Sequence, residues 1–220
     1  MSARISFDHE IDVLNKELEK MGTLIEIAID KSVQAFKNQD FDLAREIIQG
    51  DRTINDVEKS IEARCLSLIL KQQPVAKDLR IVSTALKVVT DMERIGDQAA
   101  DIAELVLRLK GELVFNVVNH IPEMASVAKK MVHDAVAAFV SLDVKSSKET
   151  IVLDDEVDRL FNKVKKEIVD LLKTEPEHVD DFIDILMIAK YFERIGDHAV
   201  NICEWTEFHE TGSLKNVRIL

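Results

Sequence analysis

The stretch from Met92 to Glu104, M-E-R-I-G-D-Q-A-A-D-I-A-E, returns from Phe192 to Glu204 as F-E-R-I-G-D-H-A-V-N-I-C-E, with eight of thirteen positions identical. A chain that repeats itself at this distance is built from two equivalent units, and each unit has to accommodate the same pattern. That pattern is helical. At about 100° per residue, Glu93, Asp97, Asp101 and Glu104 fall at roughly 0°, 40°, 80° and 20°, so four acids share one stripe. Ile95, Ala99, Ile102 and Val106 occupy the opposite side, and the second copy sets Glu193, Asp197, Asn201 and Glu204 against Ile195, Ala199 and Ile202. Like charges at i, i+4 weaken a helix by about 0.2–0.5 kcal/mol per pair. One such stripe reads most simply as a solvated face neutralised by Arg94; its recurrence argues for something positive facing both copies.

Composition narrows the architecture that carries the repeat. Hydrophobic residues make up 46% of the 220 positions, but aromatic residues only 5%, with six Gly and three Pro. That is ample for a core and poor for a turn-rich β fold. The net charge of −12 disfavours nucleic acid and anionic membrane surfaces as partners and favours cations or basic protein patches. Cys65 and Cys203 are the only cysteines and make neither a disulfide framework nor a zinc set. The amino terminus, MSARISFDHEIDVLNKELEK, has no apolar signal-like stretch, and no run approaches a membrane span. A soluble protein of a reducing compartment, without direct membrane insertion, is the expectation.

Helical spacing then divides the chain. Ile11, Leu14, Leu18, Met21, Ile25, Ala28, Val33 and Phe36 define a first helix from Phe7 to about Lys37. Asp40 suits the cap of a second, which runs through Leu43, Ile47, Ile54, Ile61 and Leu68, with Gly50 as an irregularity, to the break before Pro74. The third runs from about Val75 to Lys110 and carries the first acidic stripe, and Gly111 suits its end. Glu112 to His120 lacks helical periodicity and is the candidate linker. A fourth helix starts near Pro122, a fifth takes in Ile151, Val157, Leu160, Phe161, Val164 and Ile168 as far as Pro176, and a sixth runs from about Glu177 to Glu210. Met21 aligns with Met124, Phe36 with Phe139, Asp40 with Asp143 and Asp51 with Asp154, all 103 positions apart. The offset falls to 102 at the prolines and 100 at the acidic motif. The expected fold is all-α: two tandem three-helix bundles, residues 1–111 and 112–220, related by a pseudo-twofold internal repeat.

The second helices carry oxygen pairs at i, i+4, Asp51 with Asn55 and Asp154 with Asp158. As antiparallel neighbours of the third helices, they are placed to join Glu93, Asp97 and Asp101 in one half and Glu193, Asp197 and Asn201 in the other. Two clusters of side-chain oxygens result, suited to hard divalent or trivalent metal ions such as Mg²⁺, Mn²⁺, Ca²⁺ or iron. Gly96 and Gly196 stand inside helices, where glycine is unfavourable by about 1 kcal/mol relative to alanine, which implies close approach of a neighbouring helix or a ligand. His198 is a candidate ligand without a counterpart, since Gln98 stands in the first copy. His9, His120, His133, His178 and His209 read as surface or packing residues. Glu175 with His178 has the E-x-x-H spacing of di-iron bundles, but it occurs once and at a proline-marked helix start. No phosphate-binding glycine loop, nucleophile elbow or zinc-protease helix is present.

Two three-helix repeats carrying E-R-I-G-D-Q-A-A-D-I-A-E and E-R-I-G-D-H-A-V-N-I-C-E in their third helices resemble the PhoU family over nearly the whole chain. The resemblance implies a cytoplasmic, non-enzymatic negative regulator of phosphate uptake and of the phosphate-starvation response. It would be an adaptor between the ATPase of the phosphate ABC transporter and a sensor histidine kinase, with a homodimer among its assemblies. It also implies E/D-x-x-x-D motifs that hold multinuclear metal clusters, iron included, here Glu93 with Asp97, Glu193 with Asp197 and Asp154 with Asp158. Asp51 with Asn55 departs from that motif by ending in an amide. Two other readings compete: a carboxylate-bridged metal-dependent oxidase or hydrolase, and an interaction scaffold whose acids meet partner Lys and Arg without metal.

Overall fold

A computed structural model describes residues 3–109, 118–214 and 217–218. The first half is three helices, α1 (Ala3–Asn38), α2 (Phe41–Gln72) and α3 (Lys77–Val106). The second comprises α4 (Ile121–Ser141), α5 (Val144–Val152), α6 (Asp154–Thr174), a single 3₁₀ turn at Pro176–His178 and α7 (Val179–Thr211). Gly212, at φ 73°, ends α7 and leads into a two-residue antiparallel ladder, Ser213–Leu214 against Val217–Arg218, which periodicity does not announce. The fold is all-α, with the three-helix pattern occurring twice. The expected linker and Gly111 fall largely on residues 110–117, outside the described residues; α3 closes earlier than expected, at Val106.

Local chemistry accounts for most boundaries. Asp40 accepts from the backbone N–H of Leu43 at 2.9 Å, and its counterpart Asp143 accepts from Lys145 and Ser146 at 3.0 Å each, satisfying amides a helix start leaves open. Pro122 lies in the first turn of α4. Two expectations need correction. Helix α2 passes through Gly50 unbroken, whereas the expected single fifth helix is broken at Leu153 into α5 and α6. Asp154, Asp155 and Glu156 open the first turn of α6, where negative side chains are favoured by the helix dipole, so a new N-terminus is stable there.

The halves share one core. Helix α3 packs most extensively on α7, and α1 also meets α4, so four helices from both halves form the centre. Helix α2 covers α1 and α3, while α5 and α6 cover α4 and α7. Val88, Met92, Ile95, Ile102, Met124, Met131, Ile188, Phe192, Ile195 and Ile202 are among the fully buried members of this continuous cluster. At the α1–α4 contact a Cβ on Gly22 would lie 3.2 Å from Val136, which fixes a close helix crossing. There Asp30 accepts from Lys129 at 2.8 Å and Glu26 meets His133 at 3.0 Å. Because residues 26 and 30 correspond to 129 and 133, these two contacts exchange under the internal repeat.

His209 is 4% exposed at the end of α7, beside a cavity of about 70 Å³ that includes Asn15, Ile81 and Phe139, and neither of its ring nitrogens has a hydrogen-bond partner. Burial lowers its pKa from 6.5 to about 4; Glu210 opposes the shift, and Lys77 and Arg80 add to it. The native state therefore excludes a proton that the unfolded chain binds, and stability is intact above pH 6.5 and lost as pH falls towards 4. The loss is about 2–3 kcal/mol. Denaturant titrations between pH 7 and 4 are expected to show it, and His209→Leu to flatten that part of the profile. At Gly50, where a Cβ would meet nothing within 4 Å, Gly50→Ala is expected to stabilise the protein by about 0.5–1 kcal/mol, read as a higher melting temperature.

Candidate metal-binding site

In the first half, α2 and α3 bring the predicted side chains together. Asn55 donates from Nδ2 to Asp51 Oδ2 at 2.9 Å, leaving Asp51 Oδ1 and Asn55 Oδ1 buried without a partner. Burial raises the pKa of Asp51, the charge of Asp97 raises it further, and the Asn55 hydrogen bond opposes both. Burial likewise raises Glu93, followed by the charges of Asp97 and, more weakly, Asp51. Asp51, Asn55, Glu93 and Asp97 thus form one set of oxygens. Arg94, half-exposed, donates to Asp97 at 2.9 Å and lies 3.5 Å from Glu93, so it neutralises the outer edge and leaves the Asp51 side uncompensated.

The second half builds the equivalent set from α6 and α7. The break at Leu153 starts α6 at Asp154, with Asp158 one turn on. Burial and the charges of Asp197, Asp158 and Glu193 push the Asp154 carboxyl up to about 6. Asp197 is also raised, by burial and then by Glu193. Asp154 Oδ1 is buried and unpaired, and a Cβ on Gly196 would stand 3.1 Å from it. Gly196 therefore makes room for a site carboxylate. At Gly96 the close neighbour is Ile54, at 3.0 Å, so there the same glycine serves helix crossing. Lys190 pairs with Glu193, and its ammonium lies 5.6 Å from the centre of the Phe161 ring.

Asp101 and Asn201 are placed differently from the rest. Asp101 accepts a hydrogen bond from Tyr191 of α7 and is raised by burial, then by Glu104 and Asp97. Asn201 donates to Asp91 of α3 at 3.1 Å, and His198 contacts the same Asp91 oxygen at 2.8 Å. Asp91 and Tyr191 are counterparts in the repeat, as are Asp101 and Asn201, so both contacts express one pseudo-symmetric joint between the halves. With Arg108 bonded to Asp184 at 3.0 Å, they fix α3 and α7 antiparallel, with Gly96 level with Gly196. His198 also acts on Glu93 of the first set and Asp197 of the second. The two sets therefore flank the α3–α7 seam. Sequence reading missed Asp91 and Tyr191, although both directly precede the repeated motif.

The family model described as the PhoU domain matches residues 18–106 and again 121–206. The chain belongs to the PhoU family. A phosphate-specific transport system accessory protein PhoU homolog of Clostridium acetobutylicum is 37% identical over 207 residues, 94% of each chain. The Escherichia coli K12 accessory protein PhoU is 28% identical over 206 residues, 94% of this chain and 86% of that one. The crystal structure of the phosphate transport system regulatory protein PhoU from Streptococcus pneumoniae superposes with a TM-score of 0.88 at 30% identity, covering 94% of this chain and 98% of that one. Both PhoU domain matches include a third-helix motif and its partner pair from the preceding helix.

In this PhoU chain, no three His, Cys, Asp or Glu side chains among the described residues converge tightly enough to enclose a metal ion as they stand. The donor chemistry nevertheless fits a hard cation: like charges held close, and buried oxygens on Asp51, Asn55 and Asp154 with nothing to bond. His178, the histidine of the single E-x-x-H spacing, lies elsewhere: it faces Asp181 at 3.6 Å and the edge of Phe182. Burial pushes both Cys65 and Cys203 up to about 12, which keeps them protonated and unsuited to bind metal. No helix among the described residues is long and apolar enough to cross a membrane.

The raised Asp154 carboxyl destabilises the metal-free fold at neutral pH: its contribution is favourable below about 3.8 and is lost as pH rises through about 6. Asp154→Asn is therefore expected to raise the melting temperature of chelator-treated protein at pH 7.5, by no more than about 1 kcal/mol in stability once solvent screening is allowed for. Gly196→Ala is expected to displace Asp154 and to leave the first set untouched, which metal titrations of half-specific variants read directly.

Proposed function

We propose that this PhoU protein is a cytoplasmic, non-enzymatic regulatory adaptor that restrains phosphate uptake and the phosphate-starvation response, linking the ATPase of a phosphate ABC transporter to a sensor histidine kinase. The phosphate-transport part follows the relatives, which are named as accessory and regulatory proteins of that system and align along nearly the whole chain. The observation that carries the mechanism is the pair of equivalent oxygen sets with buried, unpartnered atoms.

Asp51, Asn55, Glu93 and Asp97 would hold metal in the first half, and Asp154, Asp158, Glu193 and Asp197 in the second, with iron among the candidate ions. A bound cation supplies the positive charge these sets lack. Without it, repulsion among the carboxylates is relieved by Arg94, Lys190, the Asn55 hydrogen bond, His198 and partial protonation. Neutralising the sets changes the charge of the face on both sides of the α3–α7 seam, and with it the surface offered to partners. Asp101 and Asn201, two further members of the acidic stripes, sit beside the sets and are tied across the seam, so movement in a set is transmitted to the packing of the halves.

Glu93→Ala/Asp97→Ala and Glu193→Ala/Asp197→Ala are each expected to weaken metal binding at their own set by more than about tenfold, measured by elemental analysis after equilibrium dialysis. Metal content equal to that of the wild type would remove the ligand assignment. In a bacterial strain lacking its own PhoU and grown with ample phosphate, the wild-type chain is expected to restore repression of a phosphate-starvation reporter. Failure to repress would remove the regulatory reading.

A further inference from the structure

Beside the first oxygen set, a groove of about 200 Å³ runs between α1 and α2 over Leu24, Ile27, Ala28, Ile47 and Ile54, with Asp51 also in its lining. Ile27 is 47% exposed. Gly50 forms part of the wall, and packing does not require glycine there, since a Cβ would meet nothing within 4 Å. A glycine in a helix interior is unfavourable, and its visible effect here is to keep the groove open. The corresponding groove of the second half, about 370 Å³ over Lys130, Asp134, Glu149, Thr150 and Leu153, is polar and does not take in Asp154, because Lys130 stands at the position of Ile27, Met131 at that of Ala28 and Leu153 at that of Gly50. The Met131 methyl comes within 3.7 Å of a Cβ position on Gly196, filling the space that Ala28 leaves in the first half.

The groove's charge selects its occupant. Asp51 Oδ1 is buried without a partner, and Asp97 adds negative charge beside it. Lys31, the cation in the lining, is already engaged by Glu46. An aliphatic groove that also takes in Asp51, whose Oδ2 has only the neutral Asn55 amide and whose Oδ1 has no partner, matches a long basic side chain, whose methylene stem lies on apolar surface while its charged head reaches an acid. We infer that this groove is a docking slot for an arginine or lysine side chain presented by a partner protein, and that it draws on Asp51, which the metal set also uses. The inference rests on the adaptor reading for the protein nature of the occupant and for the competing metal. Metal loading of the first set then weakens docking.

The test uses the full chain and two 18-residue amphipathic helical peptides, identical except that one carries a central Arg flanked by Leu and the other Glu in its place. Fluorescence anisotropy is expected to show saturable binding of the Arg peptide at least tenfold tighter than that of the Glu peptide. Gly50→Leu, which fills the groove from open space, and Ala28→Met, which copies the second half, are expected to reduce Arg-peptide binding at least tenfold with melting temperature and metal content retained. Mn²⁺ is expected to weaken binding in the wild type. Equal binding of both peptides, undiminished binding to both variants, or a change confined to self-association in sedimentation would each overturn the assignment. Metal content is measured separately, so a chain that binds peptide but no metal removes the metal part of the adaptor reading and leaves the slot standing.

Discussion

The antiparallel contact between α3 and α7 holds the molecule together. Helix α3 reaches Val106 and α7 reaches Thr211, and along their shared length Val88, Met92, Ile95, Ala99 and Ile102 meet a core that also takes in Ile188, Phe192, Ile195, Ala199 and Ile202, all at most 1% exposed. Burial of this kind contributes about 25 cal/mol per Å² of apolar area, far more than the surface ion pairs can supply. Apolar packing alone would tolerate a slipped register. The Asp91–Asn201, Asp101–Tyr191 and Arg108–Asp184 contacts remove that freedom, because a slip would leave half-buried polar groups unpaired. The oxygen sets inherit their positions from this register.

Much of this was legible in the sequence. The 3.6-residue period placed six of the seven helices among the described residues, Asp40 marked a cap that its hydrogen bond bears out, its aligned counterpart Asp143 caps in the same way, and the alignment of Asp51 with Asp154 anticipated which second-helix residues face the third-helix acids. The sequence did not show how each stripe divides. A helical wheel places Asp97 and Asp101 close together, but it does not say which neighbour each one meets; α2 takes one and α7 the other, a choice made by tertiary packing. The break at Leu153 was hidden for a related reason: the apolar period continues through it, and only the three acids that follow favour a fresh helix start. His209 carried no sequence signal, since its unusual state comes from what surrounds it.

The halves repeat a fold without repeating its details. Gly96 and Gly196 are the same residue at the same register, yet one makes room for a packing side chain and the other for a carboxylate. Gly50 continues a helix where Leu153 interrupts one. Asn55 lowers the charge of the first set, whereas its counterpart in the second, Asp158, is a carboxylate. Each difference leaves the buried centre intact and alters the rim of a set, so the two halves can diverge at these rims without disturbing the packing they share.

The exchanged polar contacts at α1–α4 bear on how the chain assembles. In the first half α1 offers acids at positions 26 and 30; in the second α4 offers bases at 129 and 133. During synthesis the first half emerges ahead of its partner by about a hundred residues, roughly 5 to 20 s at ordinary rates of elongation, with the apolar faces of α1 and α3 still uncovered. Two such nascent halves meeting through α1 would set Glu26 and Asp30 against the same acids, which like-charge repulsion disfavours. The pairing code therefore favours contact between a first half and a second half over contact between two first halves on a crowded polysome.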